Sequence, residues 1–300
     1  MNQFEGKIGV TGASGQLGGR IVELLAEQVQ PSQILAITRS PEKVAHLSDA
    51  GVQVVRGDFA EPEQLTGALR GVDRLLIIST DDLSGNRAAL HANALGAAKE
   101  AGVGHIFYTS APNPHVSSLG FIREHGVTED LIRESGLTYT FLRNNFYMEM
   151  LLGLAPKWAA TGEIHGVAAE GKINRVTRED CARAAAAVLA APGSEHHNKV
   201  YDITGPESLN GHELANALAG LVDRPVRYVT MTSDSMRAYL AGAGFPEPMA
   251  DLFVEIDKAI AAGELDVSST AVGDLTGQDP ASVEAFLNAH RSVLESSVAN

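Results

Sequence analysis

The stretch VTGASGQLGGR, residues 10–20, contains four glycines. Its first two residues are the end of a short apolar run at residues 7–11. Gly12, Gly15 and Gly18 lie three residues apart, a spacing that differs from the G-x-G-x-x-G of the standard dinucleotide-binding loop. The spacing alone fits either a phosphate-binding loop or a tight turn between a strand and a helix. The sequence around the loop has to separate these two interpretations.

Apolar runs of strand length alternate with helical segments through the first half of the chain. The predicted strands cover residues 7–11, 33–38, 52–56, 74–79, 105–109 and 138–143. Helices are predicted over residues 16–28, 61–69, 86–101 and 119–135, and another begins after the second strand with Ser40 as N-cap and Pro41 behind it. Parallel strands need crossover connections, so this alternation indicates an α/β fold with a doubly wound parallel sheet.

The second half of the chain loses this regular alternation. It contains a helix over residues 179–193, a strand over 199–204, a helix over 208–221, and a mainly helical region from 230 to 300. The predicted organisation is a sheet domain over residues 1–150 and a smaller, mostly helical lobe over 151–300. Some segments of the second half are expected to return to the first domain.

The composition predicts an acidic globular protein without cysteine chemistry. The formal net charge of −14 makes a surface that repels nucleic acid and anionic lipid. Cys181 is the single cysteine, so neither an intramolecular disulfide nor a cysteine metal cluster can form, and no metal site is expected. Residues 1–7 hold no signal segment, and no run approaches the roughly eighteen apolar residues of a membrane span. We expect a cytoplasmic protein with no membrane or nucleic-acid partner.

The glycine loop lies between a predicted strand and a predicted helix, at the start of the alternating region. In that setting Gly12 allows a tight turn, Gly15 lets backbone N–H groups approach a pyrophosphate, and Gly18 lets the helix pack against the strand. The positive end of the helix then faces the phosphates. The context therefore favours a nucleotide-binding loop over a plain turn.

Residues after the next strands indicate which nucleotide binds. An NAD site usually has an acidic residue after the second strand, whereas this chain has Arg39 there and Lys43 one helical turn later. A guanidinium suits a 2′-phosphate, so NADP(H) is predicted, with a solvated surface charge as the alternative for Arg39. Asp58 and Phe59 follow the third strand, where an adenine would lie. Ser79 and Thr80 follow the fourth strand and are expected to contact the nicotinamide ribose or the pyrophosphate.

Six segments together resemble one family along nearly the whole chain. They are VTGASGQLGG, AITRSPEKV, LLIIST, IFYTSAPN, TYTFLRNNFYMEM and GKINRVTREDCARAAAAVL. The chain resembles the NmrA-like branch of the atypical short-chain dehydrogenases/reductases, and within it the bacterial NAD(P)H:quinone oxidoreductases and the triphenylmethane reductases. The glycine loop is common to many such enzymes, whereas LRNNFY and GKINRVTRED are more selective.

The resemblance implies a Rossmann domain that binds NADPH, a helical lobe beside it, and an electron-accepting small molecule such as a quinone. It also implies roles for individual residues in this sequence. The cofactor residues it implies are Gly12, Ala13, Ser14, Gly15, Gln16, Leu17, Arg39, Ser79, Thr80 and Asn144, with Lys172 near the cleft. Asn144 would bind the carboxamide or hold the ring face. Phe146 and Tyr147 would line a flat apolar substrate pocket, with plain packing as the alternative. A homodimer is compatible with this resemblance.

The helix after the fifth strand lacks the Tyr-x-x-x-Lys pair of ordinary short-chain dehydrogenases. It carries REHGVTED, with His125 and Glu129 at positions i and i+4 on one face. Carbonyl reduction needs a proton delivered to the oxygen, whereas a quinone is a strong hydride acceptor and needs less help. His125 is therefore predicted as a proton donor, with a structural histidine paired to Glu129 as the alternative.

Two functions of different classes remain open from the sequence. The first is an NADPH-dependent enzyme that reduces quinones or similar conjugated acceptors without flavin. The second is a redox sensor, because the NmrA-like branch includes proteins that bind a dinucleotide and regulate a partner with little or no turnover. The glycine loop is expected in both, so measured turnover has to separate them.

Overall fold

The computed structural model describes residues 4–81 and 85–295. The strands of these residues are β1 Ile8–Val10, β2 Ile34–Thr38, β3 Gln53–Arg56, β4 Arg74–Ile77, β5 His105–Ser110, β6 Thr138–Asn144, β7 Phe146–Tyr147, β8 Glu163–Gly166, β9 Ile173–Val176, β10 Lys199–Ile203, β11 Ser208–Leu209 and β12 Arg227–Thr230. The helices are α1 Gln16–Ala26, α2 His46–Asp49, α3 Pro62–Leu69, α4 Arg87–Ala101, α5 Gly120–Glu134, α6 Ala155–Thr161, α7 Arg178–Ala190, α8 Gly211–Val222, α9 Ser233–Gly242, α10 Glu247–Ala261, α11 Ala271–Thr276, α12 Val283–Ala289 and α13 Arg291–Glu295.

Seven strands form one parallel sheet in the order β10-β6-β5-β4-β1-β2-β3. All of its neighbouring strands run parallel. The chain order reverses between β1 and β4, and ligands of open α/β sheets bind at the carboxyl ends of the strands at such a switch point. The predicted doubly wound Rossmann fold is confirmed.

Helices cover both faces of the sheet, which explains why its central strands are apolar on both sides. On one face, α1 and α7 bury residues such as Ile21, Leu25 and Ala185 against the sheet. On the other face, α3, α4 and α5 bury Leu65, Ile132 and their neighbours. The sheet is therefore the middle layer of three.

One predicted helix differs from the observed structure. After β2 the chain forms a 3-10 turn over Pro41–Val44, followed by the short helix α2, and Ser40 makes no side-chain cap. The backbone N–H of Ser40 donates instead to the Thr38 hydroxyl at 3.1 Å. The predicted N-cap is wrong, because the N–H of Lys43, which a Ser40 side-chain cap would bind, donates to the Ser40 carbonyl at 3.1 Å in the 3-10 turn.

The second half supplies elements to both parts of the molecule. Strand β10 extends the main sheet beside β6, and α7 packs in the same layer as α1. The remaining strands make a three-stranded sheet in the order β11-β9-β7 and a parallel pair of β12 with β8. Helices α6, α8, α12 and α13 pack around this second region, with Leu218, Phe286 and Leu294 in its core. Within the described ranges, no helix is long and apolar enough to cross a bilayer.

Candidate active site

The glycine loop turns sharply at the carboxyl end of β1. Gly12 has a φ of +64°, a left-handed conformation that glycine adopts without strain, and the N–H of Gly15 donates to the Gly12 carbonyl at 2.9 Å. A Cβ on Gly18 would lie 2.3 Å from the Gly12 carbonyl oxygen, so the close approach of α1 to the loop requires glycine there. The loop therefore places the first turn of α1 directly above the strand.

A cleft of about 580 Å³ opens over this loop. Its lining is formed by the end of β2, by residues that follow β1, β2, β3 and β4, and by the start of α1, together with Leu90, Tyr147 and Arg178 from later elements. Among them are the predicted residues Gly12, Ser14, Gly15, Gln16, Leu17, Arg39, Asp58, Phe59, Ser79 and Thr80. The N-terminus of α1 has no side-chain cap, so its backbone N–H groups remain available to an anion.

Arg39 follows β2 directly, and its side chain is exposed at the rim of the cleft. Thr38, the last residue of β2, donates its hydroxyl proton to the Ser14 hydroxyl at 2.7 Å and thereby ties the glycine loop to this strand. Lys43 is exposed in the 3-10 turn and does not line the cleft. Of the two predicted cations, Arg39 is the one that the fold places at the cleft.

Asp58 and Phe59 form the next part of the wall, after β3. The Asp58 carboxylate accepts from the N–H of Ala60 at 3.0 Å, which holds this loop in a turn. The edge of the Phe59 ring packs toward His91, with ring centroids 6.1 Å apart. Both side chains are half-buried, so each still offers a face to the cleft.

The segment of Ser79 and Thr80 is held by two buried side chains behind it. The N–H of Ser79 donates to the Thr109 hydroxyl at 2.9 Å, and the N–H of Thr80 donates to Nε2 of His91 at 3.1 Å. Because Nε2 of His91 accepts, its Nδ1 carries the proton and donates to the Thr128 hydroxyl at 2.9 Å. Burial lowers the pKa of His91 to about 3, which keeps this arrangement intact at neutral pH.

A second cavity, of about 400 Å³, lies beside the cleft and is lined mainly by apolar side chains. Phe146 borders this cavity, and Tyr147 borders both the cavity and the cleft. Met150, Trp158 and Phe253 contribute to its wall. A pocket of this size and character suits a flat organic ligand.

Tyr147 and Asn144 are linked at the boundary between the two spaces. The Asn144 amide donates to the Tyr147 hydroxyl at 3.3 Å, and burial raises the pKa of Tyr147. Tyr147 therefore stays protonated. The amide oxygen of Asn144 is buried and has no hydrogen-bond partner among residues 4–81 and 85–295.

Arg178 is a cleft residue that sequence reasoning missed. It is the first residue of α7, it lines the cleft, and its guanidinium carbon lies 4.8 Å from the centre of the Tyr147 ring. Its N–H donates to the Glu149 carboxylate at 2.9 Å. Thr177 caps the helix in front of an acidic first turn, and this pattern predicts where the helix begins. It does not predict that the start of the helix lies near the end of β1.

Besides Lys43 and Asn144, two more predicted cofactor residues lie outside the lining of the cleft. Ala13 is fully buried, and its N–H donates to the Ile37 carbonyl at 3.1 Å, so it supports the loop from below. Lys172 pairs with Glu213 at 2.9 Å, and it borders neither the cleft nor the second cavity. A cofactor contact by either residue stays a prediction.

His125 lies outside the lining of both cavities. Its Nδ1 is 2.8 Å from the Tyr108 hydroxyl, a fully buried group in β5. Burial is the main cause that lowers the pKa of His125 to about 3, and the charge of Arg87 acts in the same direction. His125 is thus neutral at physiological pH. Its role as a proton donor stays a prediction, and the proton would have to come from the neutral form of the imidazole.

Glu129 has different partners from the one considered in the sequence. Its carboxylate accepts from Arg143 at 2.8 and 2.7 Å, from Ser110 at 2.7 Å and from Arg133 at 3.1 Å. Hydrogen bonds from Arg143 and Ser110 hold the pKa of this buried carboxyl below its usual range, against the effect of burial. The alternative of a His125–Glu129 pair is replaced by a His125–Tyr108 pair, because β5 and β6 supply nearer partners to both side chains.

The residues of the cleft fit a dinucleotide. The hydroxyl of Thr80, which lines the cleft, is buried without a partner in the described part of the chain, so it has an unused hydrogen-bonding capacity for a ligand. The same holds for the amide oxygen of Asn144, which lies behind the cleft-lining Tyr147 and is not itself part of the lining. The glycine loop and the uncapped α1 N-terminus have the geometry of a phosphate site, and Arg39 is exposed at the rim of the same cleft. As for metals, the described residues contain no group of three or more His, Cys, Asp or Glu side chains arranged to hold an ion.

Comparison with known proteins gives the same picture over almost the full length. The model of the NmrA-like family matches residues 5–287. Quinone oxidoreductase 2 of Escherichia coli is 38% identical over 90% of this chain and 93% of its own length. The NAD(P)H azoreductase of Xenophilus azovorans is 34% identical, over 94% and 96% respectively.

Two solved structures are similar throughout. The E. coli NADPH-dependent quinone oxidoreductase complexed with NADPH has a TM-score of 0.89 and 37% identity, and the match covers 94% of this chain and 99% of that one. The Citrobacter sp. triphenylmethane reductase complexed with NADP(H) has a TM-score of 0.88 and 35% identity, covering 97% and 100%. With the family model matching nearly the whole chain, this protein belongs to the NmrA-like family.

Proposed function

We infer that this chain is an NADPH-dependent oxidoreductase that transfers hydride to a quinone or similar conjugated acceptor, without a flavin. The observation that carries this function is the position of Tyr147. This residue borders both the phosphate-binding cleft and the apolar cavity, so a dinucleotide in one and a flat acceptor in the other meet at a shared wall. The two relatives described above carry names that fit the same chemistry.

NADPH supplies the hydride when it is bound, and the side chains of this protein bind and orient the two reactants. The glycine loop and Arg39 hold phosphate groups, Asn144 offers its free amide oxygen to the carboxamide, and the apolar cavity excludes water from the acceptor. Such positioning alone can contribute a large part of the rate. A quinone needs little acid assistance, which agrees with the neutral state of His91 and His125.

Steady-state oxidation of NADPH with menadione, followed anaerobically in protein freed of flavin, tests this function. We expect turnover in the wild-type protein and none in Gly15→Val, because a branched side chain begins 3.2 Å from the Gly12 carbonyl and fills the approach to the pyrophosphate. Circular dichroism checks that this variant keeps its helices. Tight NADPH binding without oxidation by any of a panel of quinones would contradict an enzyme and favour the redox sensor.

Two further predictions concern the setting of the reaction. We propose that the protein works in the cytoplasm and assembles as a homodimer. Cell fractionation and analytical ultracentrifugation of the purified chain check these two points. A membrane-bound fraction or a monomer at micromolar concentration would contradict them.

A further inference from the structure

The apolar cavity contains one guanidinium that has no partner of its own. Arg175 lies in β9 opposite Phe146 of β7, and it borders the cavity together with Ile173, two residues earlier on the same face of the strand. In the part of the chain that the structure describes, no hydrogen bond or ion pair joins the Arg175 side chain to another residue. The residue is half-buried, and a partly desolvated guanidinium without a partner is stabilised by a counter-charge.

The nearest acidic group in the cavity wall compensates this charge only in part. Burial lowers the pKa of Arg175 to about 10, and the negative charge of Asp257 opposes that shift without cancelling it. Asp257 itself accepts from the N–H of Val167 at 2.6 Å, and burial raises the pKa of its carboxyl. Arg175 remains cationic at neutral pH. In the described part of the chain Asp257 makes no hydrogen bond or ion pair to it, so the cavity wall holds a guanidinium that its acidic neighbour does not bind directly.

We propose that Arg175 makes this cavity select aromatic acceptors that carry an acidic substituent, a carboxylate or a sulfonate, which pairs with the guanidinium. The inference rests on the proposed function, since it takes the cavity as the acceptor site. The planar guanidinium fork matches the geometry of such an anion, and a full negative charge neutralises it as a neutral quinone oxygen does not. Arg175 then binds the acidic substituent of the ligand, and the apolar wall encloses its aromatic ring.

The position of Arg175 suits this role. Its strand neighbour Val176 pairs with Tyr147, the residue shared by the cavity and the cleft. An acid group held at Arg175 therefore keeps the attached ring close to the boundary where reduction is proposed. Tyr228 and His165 add a hydroxyl and a ring nitrogen that are buried without partners among the described residues, so the same wall has further capacity for a polar ligand.

The kinetic test uses two acceptors that differ at one position: menadione, and the naphthoquinone that has a sulfonate in place of menadione's methyl group. The readout is the ratio of kcat/KM for the sulfonate to kcat/KM for menadione, at saturating NADPH. We expect Arg175→Met to lower this ratio by about 10- to 100-fold, the size of one lost charge-assisted hydrogen-bonded pair. Arg175→Lys should recover part of it, and Arg70→Met, which removes an exposed positive charge, should keep the wild-type ratio. An unchanged ratio in Arg175→Met, including an equal fall for both acceptors, would overturn the proposal.

An equilibrium measurement separates this inference from the proposed function. Naphthalene sulfonate is titrated calorimetrically into the NADP⁺-loaded protein. Arg175→Met is compared with Asp257→Asn, for which the opposite change in affinity is expected. We expect binding to weaken in Arg175→Met and to strengthen in Asp257→Asn, because the second change removes a competing negative charge. If the wild type reduces neither quinone, the proposed function fails, and the binding result alone decides on Arg175. Equal affinity for naphthalene sulfonate in wild type and Arg175→Met would refute acid recognition.

Discussion

Three threonine hydroxyls at the carboxyl edge of the sheet hold the loops of the cleft in place. Thr11, after β1, accepts from the N–H of Ile78 at 2.9 Å and donates to the Leu76 carbonyl at 3.1 Å. Thr38 links β2 to the glycine loop, and Thr109 of β5 accepts from the N–H of Ser79. Each hydroxyl satisfies backbone or loop groups that a parallel strand leaves unpaired at its end. The strand ends below the cleft are thus connected by hydrogen bonds of single threonine side chains.

At the residue scale, we expect Arg39 to decide cofactor choice. Arg39→Asp replaces a cation at the cleft rim by a carboxylate of the kind that binds an NAD ribose, so we expect a shift of preference from NADPH toward NADH. A charge-assisted pair with a 2′-phosphate contributes about 1.5–3 kcal/mol, and NADPH affinity should fall accordingly. Fluorescence titration with both cofactors measures this, with Lys43→Asp as the matched control because Lys43 lies outside the cleft lining. Unchanged NADPH affinity in Arg39→Asp would mean that this side chain is solvated surface charge.

His125 also gives a prediction at this scale. Because its pKa is lowered to about 3, the wild-type profile of kcat against pH should show no ionisation of this residue between about pH 5 and 8. We expect His125→Ala to lower turnover by roughly 3- to 100-fold, at or below the low end of general acid–base assistance, through loss of the Tyr108 contact. His46→Ala, which changes an exposed histidine, should be neutral. A limb near pH 6.5 that disappears in His125→Ala would instead identify a titrating proton donor.

At the scale of elements, α1 and α7 form one unit at the cleft although about 150 residues of chain separate them. Arg20 of α1 makes two hydrogen bonds to Glu179 of α7, at 2.7 and 2.9 Å, and both helices pack on the same face of the sheet. Both also begin at the cleft, α1 after the glycine loop and α7 with Arg178. The N-terminus of α1 has no side-chain cap, whereas that of α7 is bound by the Thr177 hydroxyl and the Glu149 carboxylate, so α7 contributes the Arg178 side chain to this space.

Gly18 fixes how closely α1 approaches the loop. A Cβ there meets the backbone of Gly12 and Ala13, which cannot rotate away, so Gly18→Ala should destabilise the protein by about 1–3 kcal/mol. Gly96→Ala is the matched control: this exposed glycine of α4 has nothing within 4 Å of an added Cβ, and the change should stabilise the helix by about 0.5–1 kcal/mol. Urea denaturation measures both. Equal effects of the two substitutions would contradict the close approach.

At the scale of the whole molecule, buried neutral histidines make stability depend on pH. Burial lowers the pKa values of His91, His105 and His125 to about 3 each. In the unfolded chain the same side chains titrate near pH 6.5, so the unfolded state binds more protons between about pH 6.5 and 3. Their contribution to the free energy of unfolding is complete above that window and is lost as the pH falls through it.

His105→Phe tests this account away from the cleft. Replacing the titrating ring by an apolar one should make the decline of the unfolding free energy between pH 7 and 5 shallower, by about 1–2 kcal/mol. The slope is the readout, because the substitution also removes the hydrogen bond between His105 and Thr140, whose hydroxyl still donates to the His196 carbonyl. His46→Phe, at an exposed site, should leave the slope unchanged. Parallel pH curves for wild type and His105→Phe would show that His105 does not drive the loss.

The sequence by itself determined the sheet, the glycine loop and most of the cleft. Apolar runs that alternate with helices specify a parallel sheet, and the carboxyl ends of its strands share one edge. Arg39, Asp58 and Ser79 could therefore be assigned to one cleft simply because each follows a strand. These predictions depend on local pattern and on a topology that the pattern fixes.

Only the tertiary structure decided the contacts between distant segments. It placed α7 on α1, so that Arg178 reaches the cleft, and it set Arg175 in the wall of the apolar cavity. It also gave His125 to Tyr108 and Glu129 to Arg143, although helical spacing put His125 and Glu129 on one face. Periodicity along one helix says which side chains share a face, whereas the partner of a buried polar group is the nearest group that another element brings to it.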